Sequence, residues 1–245
     1  VKQVTRAEKD KLVRILEDYY NHLRSLQGRS LICAILGCHA IRMAPSERLA
    51  KTIYVVVMRN AEFVPPAGGL GQVRLKVDLK GSWVQRRTGT AGSQWVAEAL
   101  MQPCVPGQRV PTAKDCDLLE ALHTQPVQEG LRRLGVEGLL GPLAADSAFL
   151  TAHNVMDYSL LLLFFADHAP QCFVIDYLQD WDAGKWAETT AKSVRQLATR
   201  CRLPTCLWLK GGRCAGPLAP GVSSVPPPVY GPRFVQNLEN LLNSE

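Results

Sequence analysis

Two aspartates at the ends of two apolar runs are the residues of this 245-residue chain with the types and spacing to hold a cation. The runs Ser159–Ala166 and Cys172–Leu178 are strand-length and rich in Leu, Phe, Val and Ile. The Asp167-His168-Ala169-Pro170 between them suits a turn, so the stretch reads as a hairpin. Folding back about residues 167–170 returns Asp157, at the entrance of the first run, and Asp176, late in the second, to the same open end. A turn centred near 168 pairs Asp157 with position 179, three residues past Asp176, and the diagonal separation is then about 7–8 Å or a little more. Carboxylates at that spacing can share a cation; on geometry alone, a turn cap and a solvated acid fit equally well.

A second constellation lies upstream in DLKGSWVQR, with Asp78, Lys80, Gly81, Ser82 and Arg86. A lysine and an arginine six apart about a Gly-Ser turn offer a point charge and a planar fork to one phosphate. An ordinary charged surface hairpin is the competing reading.

The elements that must position these residues are mixed. Leu12, Ile15, Leu16, Tyr19, Leu23 and Leu26 recur at helical spacing over Glu8–Leu26, and Thr5 with Glu8 forms a capping box before them. Tyr19, Tyr20 and His22 on that helix read as packing residues. Ser30–His39 and Ile53–Met58 read as strands, and VPPAGGLGQ is a connection, since no Lys-Ser or Lys-Thr follows its glycines. Residues 88–113, rich in Gly, Pro and Thr, read as a long loop. Leu131–Leu150 is helical in pattern with a break around Gly138–Pro142. Asp180–Arg200 reads as a loop turning into a helix, Ala215–Pro228 as a Pro- and Gly-rich loop, and Phe234–Leu242 as a last helix. The class is α+β.

Composition narrows the partners. At 47% hydrophobic the chain can bury a substantial core, yet its longest apolar stretch is strand-length, too short for a membrane span. The first residues, VKQVTRAEKDK, lack the apolar middle of a signal peptide, and the eight cysteines show no CxxC pair. Reduced thiols in a cytoplasmic protein are expected. The net charge of +6 has an address: Lys185, Lys192, Arg195, Arg200, Arg202, Lys210 and Arg213 face one acid, Glu188, and the rest of the chain is balanced. Such a stretch suits an anionic membrane surface, at about 1 kcal/mol per basic residue near it. Nucleic acid is not expected, because only Trp186 and Trp208 interrupt the charges. A solvated basic face is the plainer alternative.

Several separated runs, in order, resemble the phosphatidylinositol phosphate kinases. They are DYYNHL at 18–23, IYVVVMRN at 53–60, DLKGSxxxR at 78–86, KDCD at 114–117, Asp146 with Phe149 and Leu150, VMDYSLLL at 155–162, VIDYLQ at 174–179, the spaced Lys185, Glu188 and Lys192, and SSVPPPVYGPRF at 223–234. The resemblance runs from Val1 to about Leu241. It implies a distant protein-kinase-like α+β lobe with an antiparallel sheet and helices, residues 1–60 being the remnant of an N-terminal lobe and 61–245 a C-terminal catalytic lobe. It also implies ATP and Mg²⁺ as cofactors and a phosphoinositide in an anionic membrane as substrate. Asp157 is then the catalytic-loop aspartate, near the attacking hydroxyl and the metal; Asp176 binds metal; Lys2 binds nucleotide phosphate; Lys80 and Arg86 bind the lipid phosphate, with Lys80 also serving catalysis. Backbone of residues 58–61 is the expected adenine contact. The activation segment, about 177–200, brings Lys185, Glu188 and Lys192 to the lipid; Trp186 stands where the family has a second lysine, and Glu188 resembles the 5-kinase branches. The expectation is a 5-kinase making phosphatidylinositol bisphosphate at the cytosolic face of a membrane. The family carries a Gly-rich loop upstream of the Lys2 strand, so the N-terminal lobe is expected to be incomplete and the isolated chain inactive. The alternative is a catalytically inactive phosphoinositide-binding scaffold.

Overall fold

The structure is a computed structural model that describes residues 1–43, 51–64, 69–70, 72–88, 92, 94–104, 107–181 and 225–243. Two sheets organise it. In the smaller, β1 (Lys2–Val4) and β2 (Ile35–Met43) flank β3 (Lys51–Met58), both antiparallel to it, with Lys2 opposite Val56 and Ala40 opposite Tyr54. Helix α1 (Arg6–Ser25) follows β1 directly. Thr5 caps it as expected: its hydroxyl accepts from the Glu8 amide at 3.2 Å and its own amide donates to the Glu8 carboxylate at 2.7 Å. Leu12, Ile15 and Tyr19 form the buried stripe.

A two-residue ladder, β4 (Phe63–Val64) with β5 (Gly69–Leu70), leads into the larger sheet. Its order is β7 (Thr112–Lys114), β6 (Val73–Leu79), β8 (Ser159–Phe165), β9 (Gln171–Ile175). All of its pairings are antiparallel except β6 with β7, which are parallel, a difference from the all-antiparallel expectation. Strand β6 alternates strictly: Val73, Leu75, Val77 and Leu79 are buried, while the intervening Arg74, Lys76 and Asp78 are half-buried. Strand β8, paired on both sides, is apolar from Leu160 to Phe165 because it is covered on both faces. Helices α2 (Gln94–Met101), α3 (Asp115–Ala121), α4 (Gln125–Leu134), α5 (Glu137–Ala152) and α6 (Pro227–Leu242) complete the described elements.

Four further expectations change. The stretch Ser30–His39 is not one strand: Leu31 and Cys33 bond to Val174 at the edge of β9, and only from Ile35 does the chain enter the smaller sheet. Residues 88–113 hold α2, whose buried Val96, Ala97 and Leu100 make too short a periodic run to stand out between Gly- and Pro-rich flanks. The break between α4 and α5 lies at Gly135, in the left-handed conformation (φ 69°) that ends a helix; Pro142 falls inside α5. Finally, α6 begins at Pro227, because prolines at a first helical turn forgo amides that have no intrahelical partner.

One continuous apolar core joins the two sheets. Val4, Leu12, Ile15 and Val56 share it with Leu75, Leu79, Leu160, Val174 and the α6 residues Tyr230, Phe234 and Leu238.

Candidate active site

The hairpin of β8 and β9 is confirmed, with its register corrected. Pairs from Leu163–Gln171 to Ser159–Ile175 place Asp157 opposite position 177, so Asp176 is one residue off rather than three, and both aspartates lie just beyond the last pair. Each sits in left-handed backbone, at φ 62° for Asp157 and 60° for Asp176, a region that short polar side chains tolerate better than others. Each is followed by a buried tyrosine that pins the turn. Tyr158 shares a 2.8 Å hydrogen bond with Ser147 of α5, and its carbonyl accepts from the Tyr230 hydroxyl. Tyr177 donates to the Cys33 carbonyl at 2.5 Å and lies 3.3 Å from the Tyr19 hydroxyl, which accepts from the Ile35 amide. Burial raises the Tyr158 hydroxyl to about 12 and the Tyr177 hydroxyl well above the ordinary tyrosine range, so both remain neutral anchors.

A cleft of about 570 Å³ opens over this hairpin end, the size of a small-molecule site. Lys2, Thr5, Glu8, Val56 and Met58 line it from the smaller sheet and α1, and Lys80, Asp157, Asp176 and residues 177–180 from the other side. Each aspartate faces a lysine: Lys80 Nζ lies 2.7 Å from Asp157 Oδ1, and Lys2 Nζ lies 2.5 Å from Asp176 Oδ1. The first pair is mostly buried and the second about half exposed. Of the expected adenine-contacting residues 58–61, Met58 lines the cleft, whereas the Arg59 amide donates to the Ala34 carbonyl and its carbonyl accepts from the Cys33 thiol.

Arg86 is not in the cleft. Only 8% exposed, it donates from Nε to Asp115 at 2.7 Å and from Nη2 to the Asp78 carbonyl, so the fork expected to meet a lipid phosphate is engaged inside the protein. Asp115, fully buried at the start of α3, also accepts from the backbone amides of Lys80, at 3.0 Å, and Ser82, at 3.4 Å. Burial opposes the charge on Arg86, but the carboxylates of Asp115 and Asp78 outweigh it and hold the guanidinium protonated. The pair sets the turn from which Lys80 reaches Asp157. Sequence reasoning gave Asp115 no role; its signal was an acid bracketed by Lys114 and Asp117, which alone says nothing about burial.

Asp146, singled out in the sequence only as part of a family run and given no chemistry, is a second buried carboxylate. It accepts from His22 Nε2 at 2.7 Å, the Ser30 hydroxyl at 2.9 Å and the Leu31 amide at 2.6 Å, tying α5 to α1 and to the segment that meets β9. Lys185, Glu188, Lys192 and the rest of the expected activation segment beyond Trp181 lie outside the described residues.

Asp157 and Asp176, each with a lysine beside it, share the cleft with Glu8 and Asp180, and carboxylates and ammonium groups so placed are of the types that can meet a hard cation and phosphate. Oxygen ligands suit Mg²⁺, which takes one or two carboxylates and fills its remaining positions from water and substrate phosphates. Among the described residues no three His, Cys, Asp or Glu side chains cluster so as to hold a metal ion by themselves. This arrangement on an α+β scaffold defines a kinase-like protein.

A family model described as phosphatidylinositol-4-phosphate 5-kinase matches residues 1–172. The chain belongs to the phosphatidylinositol phosphate kinase family. It is similar to phosphatidylinositol 4-phosphate 5-kinase 9 of Arabidopsis thaliana, 30% identical over 162 residues that cover 66% of this chain and 16% of that protein. It is also similar to phosphatidylinositol 5-phosphate 4-kinase type-2 gamma of Danio rerio, 30% identical over 162 residues (66% and 32%), and to the type-2 alpha protein of Sus scrofa, 28% identical over 162 residues (66% and 33%). The chain thus spans no more than about a third of the length of these relatives.

Proposed function

We propose that this chain carries the phosphoryl-transfer site of an ATP-dependent lipid kinase that converts a phosphatidylinositol phosphate into phosphatidylinositol bisphosphate. The observation that carries the reading is the convergence of Lys2, Lys80, Asp157 and Asp176 on one cleft. Phosphoryl transfer asks the protein mainly for positioning and charge neutralisation. Asp157, at the hairpin's open end with Lys80 beside it, orients the attacking inositol hydroxyl and receives its proton. Lys80, 2.7 Å from Asp157 Oδ1, holds that carboxylate in place, and as a cationic group at the cleft wall it meets the lipid's own phosphate. Lys2 leaves Asp176 for the nucleotide phosphates when those enter. Asp176, with Asp157 beside it, would hold Mg²⁺, which supplies charge neutralisation for the phosphate oxygens. Arg86 acts one step back, through Asp115, by fixing the Lys80 turn.

The 5-position is favoured by Glu188, which resembles the 5-kinase branches, and Lys185 and Lys192 are assigned to the lipid headgroup within a basic stretch suited to an anionic bilayer at the cytosolic face. No described helix is long and apolar enough to cross a membrane, and a peripheral association is consistent with that. The test is conversion of phosphatidylinositol 4-phosphate and, separately, phosphatidylinositol 5-phosphate in mixed vesicles by the protein at its natural length, with labelled ATP. A bisphosphate formed from the 4-phosphate is expected; product from the 5-phosphate alone reverses the positional assignment, and product from neither sinks the kinase reading in favour of a phosphoinositide-binding scaffold.

A further inference from the structure

A buried lysine that the proposed chemistry does not use ties the floor of the cleft to α1. Lys11, 4% exposed, donates both to the Asp180 carboxylate and to the His153 carbonyl. Arg14, one turn further along α1, donates to the other oxygen of Asp180 at 2.8 Å. Asp180 itself forms an antiparallel bridge with Val155. On either side of that bridge the Met156 amide donates to the Gln179 carbonyl at 3.3 Å and the Trp181 amide to the Asn154 carbonyl at 3.2 Å. The bridge therefore joins the two backbone segments that carry Asp157 and Asp176, and Lys11 fastens it to the helix whose capping residue, Thr5, closely follows Lys2. Burying an ammonium costs several kcal/mol unless its partners compensate, and apolar residues of similar volume would stabilise such a site as well or better. Fold stability alone is thus a weak reason for a lysine here.

We propose that Lys11 is a positioning residue for phosphoryl transfer: by holding Asp180 and the His153 carbonyl against α1, it fixes the spacing of Lys2, Asp157 and Asp176 across the cleft. The inference rests on the kinase reading of the cleft. It assigns Asp180 the matching role and gives Arg14, which is largely exposed, the lesser share.

Lys11→Met, Asp180→Asn and the double variant, made in the protein at its natural length, test it through two readouts. In amide hydrogen exchange, each single variant is expected to speed Met156 and Trp181 by about tenfold, to leave Leu161 and Leu163 in β8 unchanged, and to gain little from the second substitution. In lipid kinase assays the same variants lose turnover by about tenfold while KM for ATP moves less than about threefold, and Lys11→Arg recovers most of the loss. Unchanged exchange at Met156 and Trp181 overturns the proposal, as does an equal rise in β8, which marks global destabilisation, or faster local exchange with full turnover. If the unsubstituted protein converts no phosphoinositide, the kinase reading is what fails, and the exchange pattern alone decides whether Lys11 holds the bridge.

Discussion

Asp157 and Asp176 are each followed by a tyrosine, and these two dipeptides carry most of the local geometry of the cleft. Left-handed backbone costs an L-residue about 1–2 kcal/mol, so it persists where neighbours fix it, and a neutral buried tyrosine bonded to another element does that on both strands. The two aspartates, Lys80 and Lys2 were legible in the sequence, the last only through family resemblance. Arg86 was misread for a physical reason: a fork six residues from a lysine reaches a shared phosphate only if both are exposed, and its burial is decided by Asp115, 29 positions away. Removing one member of such a buried pair strands the other's charge, which costs about 3–5 kcal/mol. Arg86→Met is therefore expected to lower unfolding free energy by about that amount, and Asp115→Asn in the Arg86→Met background to cost much less than it does alone. Denaturant titration of the four proteins checks this; additive losses would mean that the two residues act separately.

At the scale of elements, the regular signals were read and the short or interrupted ones were not. The capping box of α1, its apolar stripe apart from the exposed Leu16, strand β3 and the β8–β9 hairpin, whose second strand ends at Ile175, appear where their patterns put them. Helix α2 is too brief to show a period, and the prolines at the start of α6 look like loop until their place in the first turn is known. Gly130, inside α4, shows a further kind of invisibility. A methyl group there would come within 2.8 Å of one Phe164 ring carbon and closer still to another, and Phe164 is itself only 2% exposed. Alanine would gain about 1 kcal/mol of helix propensity, but overpacking a site walled by an aromatic ring costs about 1–3 kcal/mol. Gly130→Ala is expected to destabilise the protein by up to about 2 kcal/mol, as the melting temperature will register; a stabilised variant would show that α4 does not press on β8 as described.

Over the whole molecule, the core runs without a gap from the smaller sheet to α6, so Lys2 and the hairpin carboxylates are carried on parts of one packed body. That continuity was not legible from periodicity, which reports which face of an element is apolar but not which other element covers it. The charge imbalance was legible, and the basic stretch that carries it is the part of the chain proposed to meet the membrane. On the proposed reading the Lys2–Asp176 pair opens to accept nucleotide with its cation, while Lys80 stays beside Asp157. Calorimetric titration of ATP into the natural-length protein, with and without Mg²⁺, tests it most directly in the unsubstituted protein and in Asp176→Asn. Mg²⁺ should strengthen ATP binding to the unsubstituted protein by about a hundredfold, the order expected when a carboxylate–cation contact contributes about 3 kcal/mol, the scale of the stronger contacts to charged groups. The Asp176→Asn protein should lose that enhancement yet bind metal-free ATP at least as well, because Lys2 is released from its partner. Mg²⁺-dependent binding that is undiminished in Asp176→Asn would contradict the assignment of Asp176 to the cation and, with it, this reading of the cleft.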